Sequence, residues 1–142
     1  MFFGEFEYKI DEKGRVPIPP RFRRDLREGV ILAPGAEKCI TVYPLAEWKK
    51  LAETLTSSSV VRSKLRRLKR ALFATAFNLS MDGQGRIALP TSLRQYAEIV
   101  DEVVIAGANN YLELWNKVHW DEEKAISQQQ AWQIIESLEM QP

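Results

Sequence analysis

Hydrophobic and polar residues alternate along residues 5–10, a period of two that predicts a strand with one buried face. Residues 11–14 then predict a tight turn. Asp11 can accept hydrogen bonds from amides further along the turn, and Gly14 tolerates the positive φ that such turns need. Apolar residues alternate again over 15–18, so the segment as a whole predicts a hairpin.

The same pattern returns later in the chain. Residues 6–26 (FEYKIDEKGRVPIPPRFRRDL) align without gaps with residues 77–97 (FNLSMDGQGRIALPTSLRQYA). After a slip of one residue, 39–48 also align with 111–120. We conclude that one module is used twice. Its identical positions are Phe6 and Phe77, Asp11 and Asp82, Gly14 and Gly85, Arg15 and Arg86, Pro19 and Pro90, and Arg23 and Arg94.

Each module is predicted to contain strand, turn, strand, short helix, strand, turn and strand. We place the first module at 5–47 and the second at 76–119, with a helical connector at 48–75 and a helical tail at 120–142. Four short strands bury too little apolar surface to be stable alone. The prediction is therefore a mainly β, α+β fold in which both modules share one barrel.

Composition places the chain among ordinary globular proteins. It has 142 residues, of which 45% are hydrophobic and 27% charged. The single cysteine, Cys39, lies in an apolar run and is interpreted as a reduced core thiol. No segment reads as a secretory signal or as a membrane-spanning helix, so we expect a cytoplasmic protein without a membrane partner.

The charges are unevenly distributed although the net charge is only +1. Residues 9–27 are rich in basic side chains, 62–70 carry six with no acid, and 121–142 carry five acids and one lysine. Such asymmetry can steer a polyanion to one side of the molecule. Alternatively, basic and acidic faces neutralise each other across an oligomer. The basic helix at 62–70 is most often typical of a solvated face packed on its apolar side, and phosphate contact or an acidic neighbouring subunit is the functional alternative.

The D-x-x-G-R turns and the segment VYPLAEW resemble the MraZ family, bacterial regulators with two SpoVT/AbrB-like modules. The resemblance extends from the first residues to Trp120. It implies a swapped-hairpin, double-psi-type barrel with pseudo-two-fold symmetry inside one chain. It also implies a ring-shaped homo-oligomer that binds G-rich direct repeats in double-stranded DNA, associates with the nucleoid, and represses its own operon of cell-division and cell-wall genes.

The resemblance also implies where DNA is contacted. Carried onto this sequence, the contacting positions are Lys13 and Arg15 in the first turn, and Gln84 and Arg86 in the second. Asp11, Gly14, Asp82 and Gly85 shape these turns. The chemistry is suitable, because a guanidinium can donate two parallel hydrogen bonds to guanine, whereas lysine suits a phosphate.

Two alternatives concern the arginines. In the first, Arg15 and Arg86 only pair with the turn aspartates or a neighbouring strand, a role that is compatible with DNA contact. In the second, Arg23 and Arg94 form buried structural ion pairs, which we favour over DNA contact at those positions. We also interpret the turn glycines as allowing the backbone to approach the duplex closely.

The sequence bears on two other classes of function. An enzyme is disfavoured, because the only histidine, His119, has no recognisable nucleophile or metal-binding motif around it, and no cofactor, metal or small-molecule substrate is predicted. The stronger rival is an antitoxin-like interaction module that holds a protein partner through its acidic tail. A second protein that co-purifies in stoichiometric amount would favour this rival.

Overall fold

The computed structural model describes residues 1–57 and 59–139, and the elements follow the predicted order. Three residues of the predicted tail, 140–142, lie outside the described part. The first module contains β1 (Glu5–Lys9), β2 (Arg15–Pro17), α1 (Pro20–Arg23), β3 (Val30–Pro34), a 3-10 turn (Ala36–Lys38) and β4 (Ile40–Pro44). Two helices follow, α2 (Leu45–Thr56) and α3 (Arg62–Leu72). The second module contains β5 (Phe77–Leu79), β6 (Arg86–Ala88), α4 (Thr91–Ala97), β7 (Glu102–Gly107) and β8 (Leu112–Asn116), and α5 (Lys117–Glu139) comes last.

The strands pair across the two modules. A six-stranded antiparallel sheet has the order β1-β7-β8-β4-β3-β5, and β2 pairs with β6 in a separate two-stranded sheet. The first strand of each module therefore pairs with the third strand of the other module. The predicted α+β class and exchange of hairpins are both present. Helix nevertheless outweighs strand, chiefly because α5 alone spans 23 residues.

The predicted closed barrel does not form among the described residues. The larger sheet ends at β1 and β5, each with one hydrogen-bonded neighbour, and the strands β2 and β6 pair only with each other. The reason is local: β2 and β6 have three residues each, and Pro17 has no N–H to donate to a second neighbour. The small sheet instead covers one face of the larger one.

The core lies between these two sheets and is built from equivalent positions of both modules. Val16 and Ile87 are fully buried on the inner face of the small sheet. Phe6 and Phe22, whose rings meet edge to face at 5.6 Å, pack there as well. The alternating residues of β1 are half-buried, as their period of two predicted. The remaining fully enclosed large side chains are Ile18, Leu26, Val30, Leu32, Ile40, Val42, Val103, Ile105, Leu112 and Leu114.

Cys39 lies in a second, smaller cluster with Val104, Ala106 and Trp115. Burial raises the pKa of its thiol far above the ordinary range, and the thiol donates to the carbonyl of Ala36. A thiol in these surroundings stays protonated and unreactive. The interpretation of Cys39 as a core thiol is confirmed.

The last helix begins earlier than the sequence indicated. The carboxamide oxygen of Asn116 accepts hydrogen bonds from the amides of Val118, at 2.9 Å, and His119, at 3.1 Å, which caps a helix starting at Lys117. The helix thus begins inside the predicted second module, directly after β8, as α2 begins directly after β4. None of the helices in the described ranges combines the length and apolarity needed to cross a lipid bilayer.

Candidate nucleic-acid interface

The turn between β1 and β2 is organised by Asp11. One carboxylate oxygen accepts from the amides of Lys13 and Arg15, both at 2.9 Å, and the other accepts from Arg15 Nε at 2.7 Å. The Gly14 amide closes the turn on the Asp11 carbonyl at 3.0 Å, with φ of 74° at the glycine. The hydrogen bonds predicted for Asp11 and the positive φ predicted for Gly14 therefore explain the shape of this turn. The predicted pairing of Arg15 with the turn aspartate is also present.

The turn between β5 and β6 has nearly the same geometry. The Asp82 carboxylate accepts from the amides of Gln84, at 2.9 Å, and Arg86, at 3.0 Å, and from Arg86 Nε at 2.8 Å. Gly85 has φ of 75°. Two chain segments far apart in sequence thus present an arginine in the same way, because the same aspartate and glycine define each backbone.

Hydrogen bonds lower the pKa of both turn aspartates. The main cause is the backbone amide of the arginine that follows, Arg15 for Asp11 and Arg86 for Asp82, and partial desolvation opposes it. Both carboxylates are therefore ionised at neutral pH, and each orients the Nε edge of its arginine.

The pairing of β2 with β6 brings the two arginines together. Arg15 lies opposite Ala88 and Arg86 opposite Pro17, while Val16 and Ile87 between them face the core. The arginines therefore project from the other face, away from the core. Arg86 Nη1 lies 3.8 Å from Asp11 Oδ2, so a weak ion pair links the two turns directly.

The other two predicted contact residues are less constrained. Lys13 and Gln84 occupy equivalent positions in separate turns, and both side chains are exposed. Their backbone amides are held by Asp11 and Asp82, whereas their side chains extend from the turns. The structure thus brings Arg15 and Arg86 to one small sheet, with Lys13 and Gln84 at the turns on either side. We define Arg15, Arg86, Lys13 and Gln84 with their two turns as the paired-turn surface.

The turn glycines have the positive φ that the sequence predicted, and each also contacts an arginine of the other module. Both are buried, and the space above each is filled by an arginine of the other module. A Cβ on Gly85 would lie 2.5 Å from Cζ of Arg23, and a Cβ on Gly14 would lie 3.0 Å from Cζ of Arg94. The glycines thus leave space for a protein side chain where a Cβ would lie, and close approach of their backbone to a duplex stays a prediction.

The prediction of ion pairs for Arg23 and Arg94 is wrong. Arg23 Nε donates to the carbonyl of Ile18 at 2.8 Å, and Arg94 Nε donates to the carbonyl of Leu89 at 3.2 Å. Within residues 1–57 and 59–139 neither arginine pairs with a carboxylate. The repeat itself contained a signal for this role, because both modules carry an arginine at this position, but the turn glycine that each arginine contacts belongs to the other module.

The charged helices flank this core differently. The six cations of α3 are exposed and form no ion pair with the described part of the chain. The start of α5 is anchored on β1, since Lys117 bonds Glu7 at 2.7 Å and Lys124 bonds Glu5 at 2.9 Å. Glu7 raises the pKa of Lys117, with Asp121 adding to the effect. Further along, α5 exposes the apolar residues Ile126, Trp132, Ile134, Ile135 and Leu138.

In the described ranges, no group of three His, Cys, Asp or Glu side chains could hold a metal ion. His119 Nε2 lies 3.2 Å from Glu98 Oε2 on the surface. The molecule is defined by its fold and its paired turns: it is a two-module α+β protein whose modules exchange strands and present two aspartate-held arginines together.

Comparison with known proteins agrees with this class. A family model described as "MraZ protein, putative antitoxin-like" matches residues 1–71 and again 72–137. A "Transcriptional regulator MraZ" of Dehalococcoides mccartyi is 63% identical over 140 residues, covering 98% of this chain and 99% of the relative. A relative with the same name in Roseiflexus castenholzii is 43% identical over 120 residues, which cover 84% of either chain. Another in Natranaerobius thermophilus is 39% identical over 138 residues, which cover 97% of this chain and 94% of the relative.

The chain belongs to the MraZ family. The resemblance noted in the sequence is confirmed. Since its relatives are named transcriptional regulators, the protein is a transcriptional regulator and not an enzyme.

Proposed function

We propose that the protein regulates transcription by binding double-stranded DNA through the paired-turn surface. The observation that carries this proposal is the presentation of Arg15 and Arg86 on one small sheet, each held at Nε by an aspartate. With Nε engaged, the terminal nitrogens remain to donate to a base edge. An arginine that is already oriented loses less conformational entropy on binding than a free one.

Guanine is the base that suits such arginines. Its O6 and N7 accept two parallel hydrogen bonds from one guanidinium, worth roughly 1–3 kcal/mol of discrimination against other bases. Lys13, exposed at the first turn, suits a phosphate, and Gln84 suits a neutral polar contact. We therefore propose G-rich direct repeats as the target, as the family resemblance implies.

The oligomer follows from the same reasoning. A single paired-turn surface offers few contacts, and linking several of them multiplies weak affinities on a repeated DNA target. We propose a ring-shaped homo-oligomer that acts in the cytoplasm on nucleoid DNA. Its target lies upstream of its own operon of cell-division and cell-wall genes, which it represses. The unpaired cations of α3 and the exposed apolar side of α5 are surfaces that neighbouring copies can cover.

A second candidate function uses the tail instead of the turns. The description of the matching family includes the term antitoxin-like, and α5 exposes Trp132 and Leu138 beyond its anchored start. Large exposed apolar side chains on one helix often mark a protein-binding surface. In this alternative the acidic, tryptophan-bearing helix binds a protein partner.

The experiment is a fluorescence anisotropy titration at several salt concentrations. It compares a duplex of G-rich direct repeats from upstream of the protein's own gene with a scrambled duplex. The proteins are wild type, Arg15→Ala, Arg86→Ala and, as a matched control, Arg24→Ala, which removes an exposed arginine outside the turns. We expect wild type and Arg24→Ala to prefer the repeats, and each turn variant to lose roughly 1–3 kcal/mol of that preference.

Equal, weak binding of wild type to both duplexes would contradict the proposal. Preference that survives in Arg15→Ala and Arg86→Ala would show that the arginines serve only the turns. Co-purification from the native host, followed by gel filtration, addresses the alternative: a second protein in stoichiometric amount, lost on truncation after residue 124, would favour the antitoxin-like function.

A further inference from the structure

Arg23 is the last residue of α1 in the first module, but its side chain contacts the turn of the second module. Its Nε, Cζ and Cδ atoms occupy the space where a Cβ of Gly85 would lie. Arg94, from the second module, occupies the equivalent space above Gly14 in the first module, with Cζ, Nη1 and Nε as its nearest atoms. Each arginine therefore packs against the turn that its own module does not contain.

Hydrogen bonds also connect each arginine to the turn that it covers, through one intermediate residue. The Ile18 amide donates to the Gly85 carbonyl at 2.9 Å, and the Ile18 carbonyl accepts from Arg23 Nε at 2.8 Å. One residue of the first module thus bonds both the turn glycine and the arginine that covers it. The second set is equivalent: the Leu89 amide donates to the Gly14 carbonyl at 2.9 Å, and the Leu89 carbonyl accepts from Arg94 Nε at 3.2 Å.

We propose that Arg23 and Arg94 are positioning residues that act across the pseudo-two-fold axis, Arg23 on the turn that carries Arg86 and Arg94 on the turn that carries Arg15. Their consequence for DNA rests on the proposed function of the paired-turn surface. Neither arginine needs to touch DNA in order to act. Each packs against the turn glycine and binds the carbonyl of the residue whose amide donates to that glycine's carbonyl. The arginine of the turn follows the glycine directly in the chain.

The chemistry of the contact favours arginine over lysine. A planar guanidinium fits the space that a glycine leaves, while its Nε still reaches the carbonyl of Ile18 or Leu89. A lysine ammonium has neither the plane nor a donor at that position along the side chain. Arg23 and Arg94 are both half-buried, whereas the adjacent Arg24 is exposed, so Arg24 provides a control of the same residue type.

The first test measures amide hydrogen exchange by mass spectrometry on the full-length protein without DNA. The variants are Arg23→Lys, Arg94→Lys and the control Arg24→Lys. We expect Arg23→Lys to accelerate exchange roughly two- to tenfold in peptides covering 82–88 and not in those covering 11–17, since about one hydrogen bond is lost. Arg94→Lys should give the reverse pattern, and Arg24→Lys neither.

The second test is a double-mutant cycle on binding to the repeat duplex. If Arg23 acts through the opposite turn, Arg23→Lys weakens binding in wild type and in Arg15→Ala but adds nothing in Arg86→Ala. Arg94→Lys should add nothing in Arg15→Ala. A role confined to general stability would not distinguish the two backgrounds.

Several results would overturn the proposal. These are acceleration confined to the turn of the same module, equal acceleration in both turns, or no acceleration in either. A reduced salt dependence of DNA binding in Arg23→Gln, which removes the charge, with unchanged exchange would instead identify Arg23 as a phosphate contact. Should Arg23→Lys fail to fold by circular dichroism, Arg23→Gln, which keeps a planar donor, is measured by the same criteria. Absence of sequence preference in wild type would refute the proposed function, while the exchange pattern would still decide whether the arginines position the turns.

Discussion

The two turns share a backbone but differ in their exposed side chains. Asp11 and Asp82 each accept hydrogen bonds from two backbone amides and from one arginine Nε. The bond lengths are 2.7 to 2.9 Å in the first turn and 2.8 to 3.0 Å in the second, so equivalent bonds agree within 0.1 Å. The side chains that make these bonds, an aspartate and an arginine, are identical between the copies. Lys13 and Gln84 contribute only backbone amides, and their exposed side chains differ, which shows that the geometry depends on few side chains.

The exposed residues differ in charge between the two turns, but the net charge of each turn is the same. The first turn carries Glu12 and Lys13, and the second carries Gly83 and Gln84 at the same places. Because Glu12 and Lys13 cancel, both turns have the same formal charge. The first turn therefore offers a lysine to a phosphate in addition to its arginine, whereas the second turn has only its arginine.

A second difference lies beneath the turns. The Arg23 side chain leaves no space for a Cβ at Gly85, whereas a Cβ at Gly14 would be only tightly packed against Arg94. Asp11 also contacts both turn arginines, since Arg86 Nη1 lies 3.8 Å from it, in addition to its bond with Arg15. The symmetry of the backbone thus does not extend fully to the side chains that support it.

The largest effect is expected from alanine at the turn glycines. Gly85→Ala should destabilise the fold by roughly 2–4 kcal/mol, because a left-handed residue costs about 1–2 kcal/mol and Arg23 must leave its site. Gly14→Ala should cost roughly 1–2 kcal/mol. Denaturant unfolding gives both values, with Gly83→Ala as the control: it has open space and should stay within about 0.5 kcal/mol of wild type. Equal losses at Gly14 and Gly85 would refute the inferred difference in packing.

Exchanging the solvent-facing residues tests the charge difference. Lys13→Gln should reduce the dependence of log K on log salt by roughly 0.9, the value for one phosphate contact, and Gln84→Lys should increase it by a similar amount. The double exchange should restore the wild-type dependence, because the turns have the same geometry. Anisotropy at four salt concentrations measures this. If Lys13→Gln leaves the dependence unchanged, Lys13 does not contact a phosphate.

Asparagine at the turn aspartates tests the direct link between the turns. Asp11→Asn should shift the Nε resonances of both Arg15 and Arg86 in nuclear magnetic resonance spectra, since both arginines contact Asp11. Asp82→Asn should shift the Arg86 resonance much more than that of Arg15. A mirror-image pair of responses would mean that the 3.8 Å contact has no consequence in solution.

The smallest expected effect is a dependence on pH. The folded-state pKa of Asp11 and Asp82 is lowered, so their stabilisation is complete above the ordinary aspartate value of 3.8 and is lost as pH falls through the lower, folded value. Carboxyl ¹³C titrations should give two midpoints, both below 3.8. A midpoint at or above this value for either residue would contradict the turn hydrogen bonds as the dominant influence on its pKa.

Local features of this molecule could be predicted from sequence, and features that join distant segments could not. The alternation in 5–10 gave β1, and an aspartate and a glycine at fixed spacing gave the turns. The contact of Arg23 with Gly85 was missed, because it depends on strand pairing between modules. The predicted barrel failed for a related reason: pairing rules identify neighbours, but Pro17 and the short length of β2 decide whether a sheet closes.

The exchange of strands between modules has a consequence for synthesis of the chain. The strand β1 has no partner until β7, at Glu102–Gly107, has left the ribosome. At translation rates of about 5–20 residues per second, the first strand waits on the order of ten seconds with its apolar side chains unprotected. Neither half of the chain contains the strand that pairs with its own first strand. Separately expressed halves should therefore gain structure on mixing.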